Sequence, residues 1–495
     1  MFGLATIVWT ALAASLPYVL YQWFLSPLAA IPGPRLAALS DLWQLWNDMQ
    51  GKGSAAIHRY HKKHGLSAVR VGPNEVSLPA DPEVLKEVYG PTFLKSRHYD
   101  AFKIAGHAPI FGERSREAHA ARVKRILPWM SKANVLQIGE PIIQEKVSKL
   151  CSRFDALIQE GSAAVDVLKS FRCFAVDSIS AFTLPEGWNT LDEEDLDSPM
   201  GTVIDVINTS APTAFFSLRF HAWYDHVKQK LRSLLDSEGL AREGDAFGRL
   251  DAFADKSYEQ SLKDNGSDVV TSFRQCTNAD GEPLTKQQIK TEIEDLLFAG
   301  TDSSATTLST IAFHVCRSKS IQERLLSELR EVMPHRDSHV TLKTLEKLPY
   351  LTAAIREGLR VAQPVPRRLP RVVPPGGWTY ERTGQYLPEG AIVGVAAYEL
   401  HRSSPFADPE SFLPERWLGD NTSLVQMTAA FAAFGRGSRM CIGQNFAMAE
   451  LYLATAYLFR RFAGEVITPK EIVYLDNFNA SIKGGSVTLR LRVVN

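Results

Sequence analysis

The sequence predicts a mainly α-helical globule with small β-sheets, preceded by one N-terminal transmembrane helix. Three observations carry this. An uncharged apolar run opens the chain, capped segments with helical apolar periodicity fill its middle and its C-terminal third, and the β signals are short and scattered.

The apolar run extends from Phe2 to Leu25, and as a helix would reach about 36 Å, enough to cross a hydrocarbon core of roughly 30 Å. Trp9, Tyr18, Tyr21 and Trp23 offer rings for the interfaces, and membrane helices tolerate a residue such as Pro17. A cleaved signal peptide is the competing reading. A missing positive n-region, the length of the run and the lack of a small-residue cleavage site weigh against it. Lys and Arg appear only after the run, from Arg35 onward, which places the globule on the cytosolic side. Membrane lipid is therefore one expected partner, and the sequons at Asn208, Asn265, Asn421 and Asn479 are expected to carry no sugar. Ile31, Pro32, Gly33 and Pro34 form a stiff elbow, so residues 1–30 read as the anchor and 31–495 as one globule.

Within the globule, Val69–Val71 and Glu75–Leu78 flank Gly72, Pro73 and Asn74 as a hairpin. A capping box at Thr285 and Gln288 opens the longest helix, a second box at Ser320 and Glu323 opens the next, and Leu348–Val361 forms a third. Gly376–Val395 carries a further β signal. Lys+Arg and Asp+Glu balance at 55 each, so no overall field invites nucleic acid. Five cysteines at wide spacing with no C-x-x-C exclude a disulfide framework or zinc ribbon and fit a reducing compartment. Cys151, Cys173, Cys276 and Cys316 read as small buried apolar residues.

Cys441 differs. It lies in a glycine-rich turn with Phe434, Gly437, Arg439 and Gly443, just before a helix through Asn445, Ala447 and Leu451. Glycines let the backbone wrap a planar group, and a sulfur at a helix N-terminus has its thiolate favoured by N–H donors and the macrodipole. Arg439 can reach an anionic edge, and Phe434 can cover the sulfur. A surface turn with a structural cysteine is the alternative for a lone Cys, but the pattern F-x-x-G-x-R-x-C-x-G is complete here.

That pattern resembles the haem-binding loop of the cytochrome P450 family. Glu357 and Arg360 form an E-x-x-R, and Pro414, Glu415, Arg416 and Trp417 resemble the segment whose Arg joins that pair in a buried structural network. Ala299, Gly300, Thr301, Asp302 and Ser303 resemble the oxygen-binding motif, in which an acid–alcohol pair relays protons. Alone, Asp302 would read as an ordinary exposed helical acid. The usual alcohol is threonine, so Ser303 is a departure, keeping the hydroxyl without the restricting methyl. Gly300, costing roughly 1 kcal/mol in mid-helix, would make room for bound oxygen.

The resemblance implies the P450 fold over 31–495 and heme b (iron protoporphyrin IX) with Cys441 as metal ligand. It assigns Asp302 and Ser303 to catalysis and Phe434, Gly437, Arg439, Arg371 and His119 to cofactor binding, with Arg122 or Lys124 as alternative cationic partners. The activity implied is a monooxygenase of the microsomal, fungal secondary-metabolism type in the endoplasmic reticulum membrane. It would use O2, a small apolar substrate (terpenoid, polyketide or alkaloid) and electrons from an NADPH-cytochrome reductase. That reductase would dock near Arg436, Arg460 and Arg461. Tyr99–Arg114, Asn208–Arg219, Phe298, Val365 and Asn477–Ser481 would wall the pocket, with Phe215 and Phe216 adding apolar surface. An isomerase or peroxygenase needing no reductase is the nearest rival, and the Asp302–Ser303 pair argues against it. A haem sensor is the other, and would need neither relay nor redox partner.

Overall fold

The computed structural model describes residues 15–161, 164–193, 199–208, 237–263, 268–278 and 280–494. Residues 1–14 of the expected anchor, Asn265, Phe215 and Phe216 lie outside the described residues. Among those described, no helix is long and apolar enough to cross a membrane. The described end of the apolar run is instead tied to the globule. Tyr18 donates to Leu39 O (2.9 Å), Trp23 Nε1 to Arg35 O (3.2 Å), and Arg70 Nη1 to Gln22 O (2.8 Å).

The elbow is fixed by backbone contact rather than by proline stiffness alone. Arg70 N donates to Pro32 O at 2.7 Å, and a Cβ on Gly33 would come within 2.2 Å of Arg70 O, so only glycine lets the two segments meet. Leu28 and Ile31 bury in the same apolar cluster as Val76 and Val393 of the main sheet.

That sheet has five strands in the order Val69–Gly72, Glu75–Ser77, Ile392–Gly394, Arg371–Val372 and Leu94–Lys95. The expected hairpin is its first pair; the second and third strands run parallel and the others antiparallel. A second sheet joins Ala164–Asp166, Thr488–Val493 and Phe462–Thr468.

The helical body packs around one long helix, Lys286–Arg317, opened by the expected box: Thr285 Oγ1 accepts from Gln288 N and Gln288 Oε1 from Thr285 N. The next helix, Lys319–Val332, is capped by Ser318 rather than Ser320, because Ser318 Oγ takes the Ile321 N–H and leaves Ser320 inside the first turn. Pro349–Ala362 follows as expected and stops at Gln363, which is left-handed. Gly300 receives a different explanation from the one its motif implies. A Cβ there would meet Ile179 Cγ1 at 2.9 Å, so the glycine admits the helix Val167–Thr183 against the long one.

Candidate active site

The long helix is buried over most of its length, yet Asp295 and Ser303 are only half-buried and Ala299 is exposed. Spaced four apart, these residues form one stripe. Cys441 presents the same paradox. It has accessible surface, while burial is the leading influence on its thiol and pushes it up, against a smaller lowering by the Gly443 N–H. Surface that is accessible and still surrounded by protein faces an interior void. Burial thus opposes the thiolate expected at this helix N-terminus, and a bound metal cation would favour it.

The loop before Cys441 is held by Cys441 N donating to Phe434 O (2.9 Å) and leads into the helix Gln444–Arg461. Phe434 is half-buried against the main core. Gly437 has φ +75°, and a Cβ there would lie 2.0 Å from Tyr89 O. Its glycine thus serves the loop's approach to the neighbouring backbone. Arg439 Nη1 donates to Glu113 O (2.7 Å) and Nη2 to Ser115 O (3.2 Å).

Around Arg439 the structure gathers positive charge. Lys95 and Arg371 are both buried and stand directly opposite each other in an antiparallel strand pair, a placement that repels like charges. Arg371 Nη1 reaches Phe93 O (3.2 Å), but its buried Nε has no partner, nor has the buried Tyr99 hydroxyl. Burial, then the Arg371 guanidinium, pulls Arg439 down to about 10. Burial and the charges of Arg439, Lys95, Arg122 and Arg371 bring His119 down to about 3, so at neutral pH it offers an N–H or a lone pair and no charge. A cluster of cations with an unsatisfied guanidinium N–H is a site for an anion. The two propionates of heme b would fit it, and Cys441 would hold the iron. The arrangement brings Arg371, Arg439 and His119 together as expected; Lys95 was missed, since nothing local in its sequence marks it.

Arg122 is not available to this cluster. It is buried against Glu292 (2.8 Å) and Glu113 (3.1 Å). Asp302 and Ser303, expected to act as a pair, are separately engaged. Asp302 accepts from Arg172 Nη2 (3.0 Å), Arg172 Nε (3.2 Å) and Asn208 Nδ2 (3.2 Å), while Ser303 Oγ donates to Ala299 O (2.9 Å). Arg172 and Asn208 were not anticipated as partners.

The E-x-x-R network is complete. Glu357 accepts from Arg360 (2.8 and 2.9 Å), Arg416 (3.1 Å), Trp417 Nε1 (2.9 Å) and Leu413 N (2.9 Å), and Arg360 also donates to His401 O, Pro409 O and Ser411 O. The proposed reductase face is corrected in part. Arg460 is buried, donating to Met333 O and Pro334 O, and Arg461 is engaged by Asp155 and Asp337. Arg436 alone of the three is exposed. Part of the expected pocket wall at 209–219 lies outside the described residues, and the rest brings Phe102, Phe111 and Phe478 together with Tyr99. Tyr99, Phe102 and Phe478 of this wall line a cleft of about 990 Å³ that is open to solvent, and neither Cys441 nor the stripe lines it.

The comparisons agree with this geometry. The family model described as Cytochrome P450 matches residues 32–486. Cytochrome P450 monooxygenase macH of Penicillium terrestre is 31% identical, covering 91% of this chain and 89% of its own length. Cytochrome P450 monooxygenase ucsK of an Acremonium species is 30% identical over 88% of this chain and 87% of its own. A crystal structure of a cytochrome P450 matches in fold with a TM-score of 0.75 at 19% identity, covering 94% of this chain and 99% of that one. With a glycine-rich cysteine loop, a cluster of buried cations beside it and a family match over nearly its whole length, the chain belongs to the cytochrome P450 family of haem-thiolate oxidoreductases.

Proposed function

We propose that this protein is a monooxygenase that inserts one oxygen atom from O2 into an apolar small molecule of fungal secondary metabolism. It would draw its electrons from an NADPH-dependent reductase. The observation that carries the reading is the buried cation cluster of Lys95, Arg371 and Arg439 next to the glycine-rich loop of Cys441, with the Arg371 Nε left without a partner. The two relatives described above, both named monooxygenases and both from fungi, support the reaction and a fungal setting. The uncharged run at residues 1–25 supports a single-pass anchor in the endoplasmic reticulum membrane with the globule cytosolic.

Heme b, bound through Cys441, supplies the activation of O2. The chain's own residues do the rest. Arg371, Arg439 and His119 hold the propionates, the guanidinium groups by charge and the neutral imidazole by hydrogen bonding. Ala299 leaves open space on the stripe. Ser303 Oγ can turn from the Ala299 carbonyl toward that space and hold a proton there. Asp302 rests as a carboxylate held by Arg172 and Asn208, and would pass a proton toward Ser303 only after turning from Arg172 and taking that proton up from water.

Two measurements test this. Cys441→Ser should abolish the thiolate-type spectrum of the ferrous carbonyl adduct, and its retention would overturn the ligand assignment. Co-expression with a reductase and mass spectrometry of candidate metabolites should show NADPH-dependent gain of one oxygen atom. Turnover with no need of a reductase would favour the peroxygenase or isomerase chemistry instead.

A further inference from the structure

The described end of the apolar run that opens the chain has two faces. Residues 15–20 are helical, and Tyr21–Leu25 continues them as a π-turn. Tyr18, Gln22 and Trp23 are turned to the globule, where their polar atoms meet Leu39 O, the Arg70 guanidinium and Arg35 O. Leu16, Leu20 and Phe24, spaced four apart, are exposed.

Arg70 makes the joint between this run and the globule. It belongs to the first strand of the main sheet and is buried. Its Nη1 donates to Gln22 O (2.8 Å), and its Nη2 to Gln22 Oε1 and to Pro73 O (2.7 Å). Its backbone N–H goes to Pro32 O beside Gly33, so one residue grips the chain on both sides of the buried Leu28 and Ile31. A buried guanidinium that commits its planar fork of donors to a neighbouring segment holds that segment in one geometry. A free tether would need no such grip.

The exposed apolar surface continues onto the globule. Helix Arg35–Leu39 packs against both the Tyr21–Leu25 turn and helix Leu42–Met49, and the latter exposes Leu42, Trp46 and Met49 at helical spacing. Single exposed apolar residues need no explanation, but neighbouring elements that share them mark an interaction surface. Its occupant is a lipid bilayer. The run is uncharged from Phe2 to Leu25, Lys and Arg begin only at Arg35, and the exposed cations Lys52, Arg59, Lys62 and Lys63 follow. We propose that Arg70 fuses the membrane-inserted run and the globule into one rigid body, so that the globule holds a single fixed tilt on the bilayer instead of swinging on its proline elbow. This rests on the anchor reading above and goes beyond it.

The test reconstitutes the haem-loaded full chain in aligned phosphatidylcholine multilayers and reads the haem tilt from the angular dependence of its low-spin EPR signal. The parent signal should change sharply as the sample is turned in the field. Arg70→Leu should lose most of that dependence. So should Tyr18→Phe combined with Gln22→Ala and Trp23→Phe, which spares the sheet in case Arg70→Leu does not fold. A nitroxide carried on Trp46→Cys should meet more O2 and less of a polar nickel chelate once the protein is on phosphatidylcholine vesicles. No angular dependence in the parent, or an unchanged one in a variant that keeps the parent's carbonyl spectrum, overturns the inference. So does a nitroxide that stays aqueous, or one broadened by a second nitroxide as two copies pair. Each of these outcomes leaves the anchor reading standing while the protein stays on the vesicles through an alkaline carbonate wash. Release of the parent by that wash overturns both.

Discussion

Two groups of buried charge in this molecule look alike in the sequence and differ in the structure. Around Glu357 every charge meets a partner: two guanidinium groups, an indole and a backbone N–H converge on one carboxylate, and the surplus N–H groups of Arg360 find carbonyls. Around Arg371 cations predominate: Lys95, Arg371 and Arg439 gather with Asp295 and Glu113 as the acids that reach them, and the Arg371 Nε is left over. The first group is finished by the chain alone. The second is complete only with an anion supplied from outside, and that contrast separates scaffold from site without reference to any motif.

The contrast can be broken from either side. The largest effect is expected at Glu357. Replacing it with Ala leaves Arg360 and Arg416 buried and unpaired, which costs about 3–5 kcal/mol. Urea denaturation of the apoprotein and of the haem-loaded protein should both show it; an unchanged midpoint would mean the network carries no stability. Arg371→Leu is expected to do the reverse. The apoprotein should be no less stable, because a repelling cation is gone, while haem retention during gel filtration falls by about ten-fold. Equal losses in both forms would make Arg371 scaffold after all. An effect of similar size is expected at Gly437→Ala. Left-handed backbone and contact with Tyr89 O together should cost about 1–3 kcal/mol, seen in thermal melts and as loosened Cys441 coordination.

The features legible in the sequence were those written locally. The Thr285 box depends on residues within a few positions of one another, so spacing alone could place it, whereas the E-x-x-R pair and the turn around Cys441 are equally local but took their meaning from the resemblance to the family's motifs. What escaped depended on which elements meet in space. Gly300 reads as an opening for oxygen until Ile179 of another helix is seen beside it. Arg460 reads as surface charge near the sulfur, although its helix turns it toward the Met333 and Pro334 carbonyls. Lys95 carries no signature at all, and its meaning comes from a strand partner far along the chain. Asp302 and Ser303, adjacent in sequence, project to different sides of the helix, and so their side chains have different neighbours.

The facing of Lys95 and Arg371 across one strand pair has a consequence for the protein's supply. Folding buries the Lys95 amine opposite the Arg371 guanidinium, and burial with the neighbouring cations pulls Lys95 well below the usual lysine range, so the bare chain bears a cost at its own sheet edge. A ligand that binds the native form alone adds its binding free energy to the folding equilibrium. The amount of mature enzyme in a cell then follows porphyrin availability as well as gene expression, with surplus chain left to the proteases.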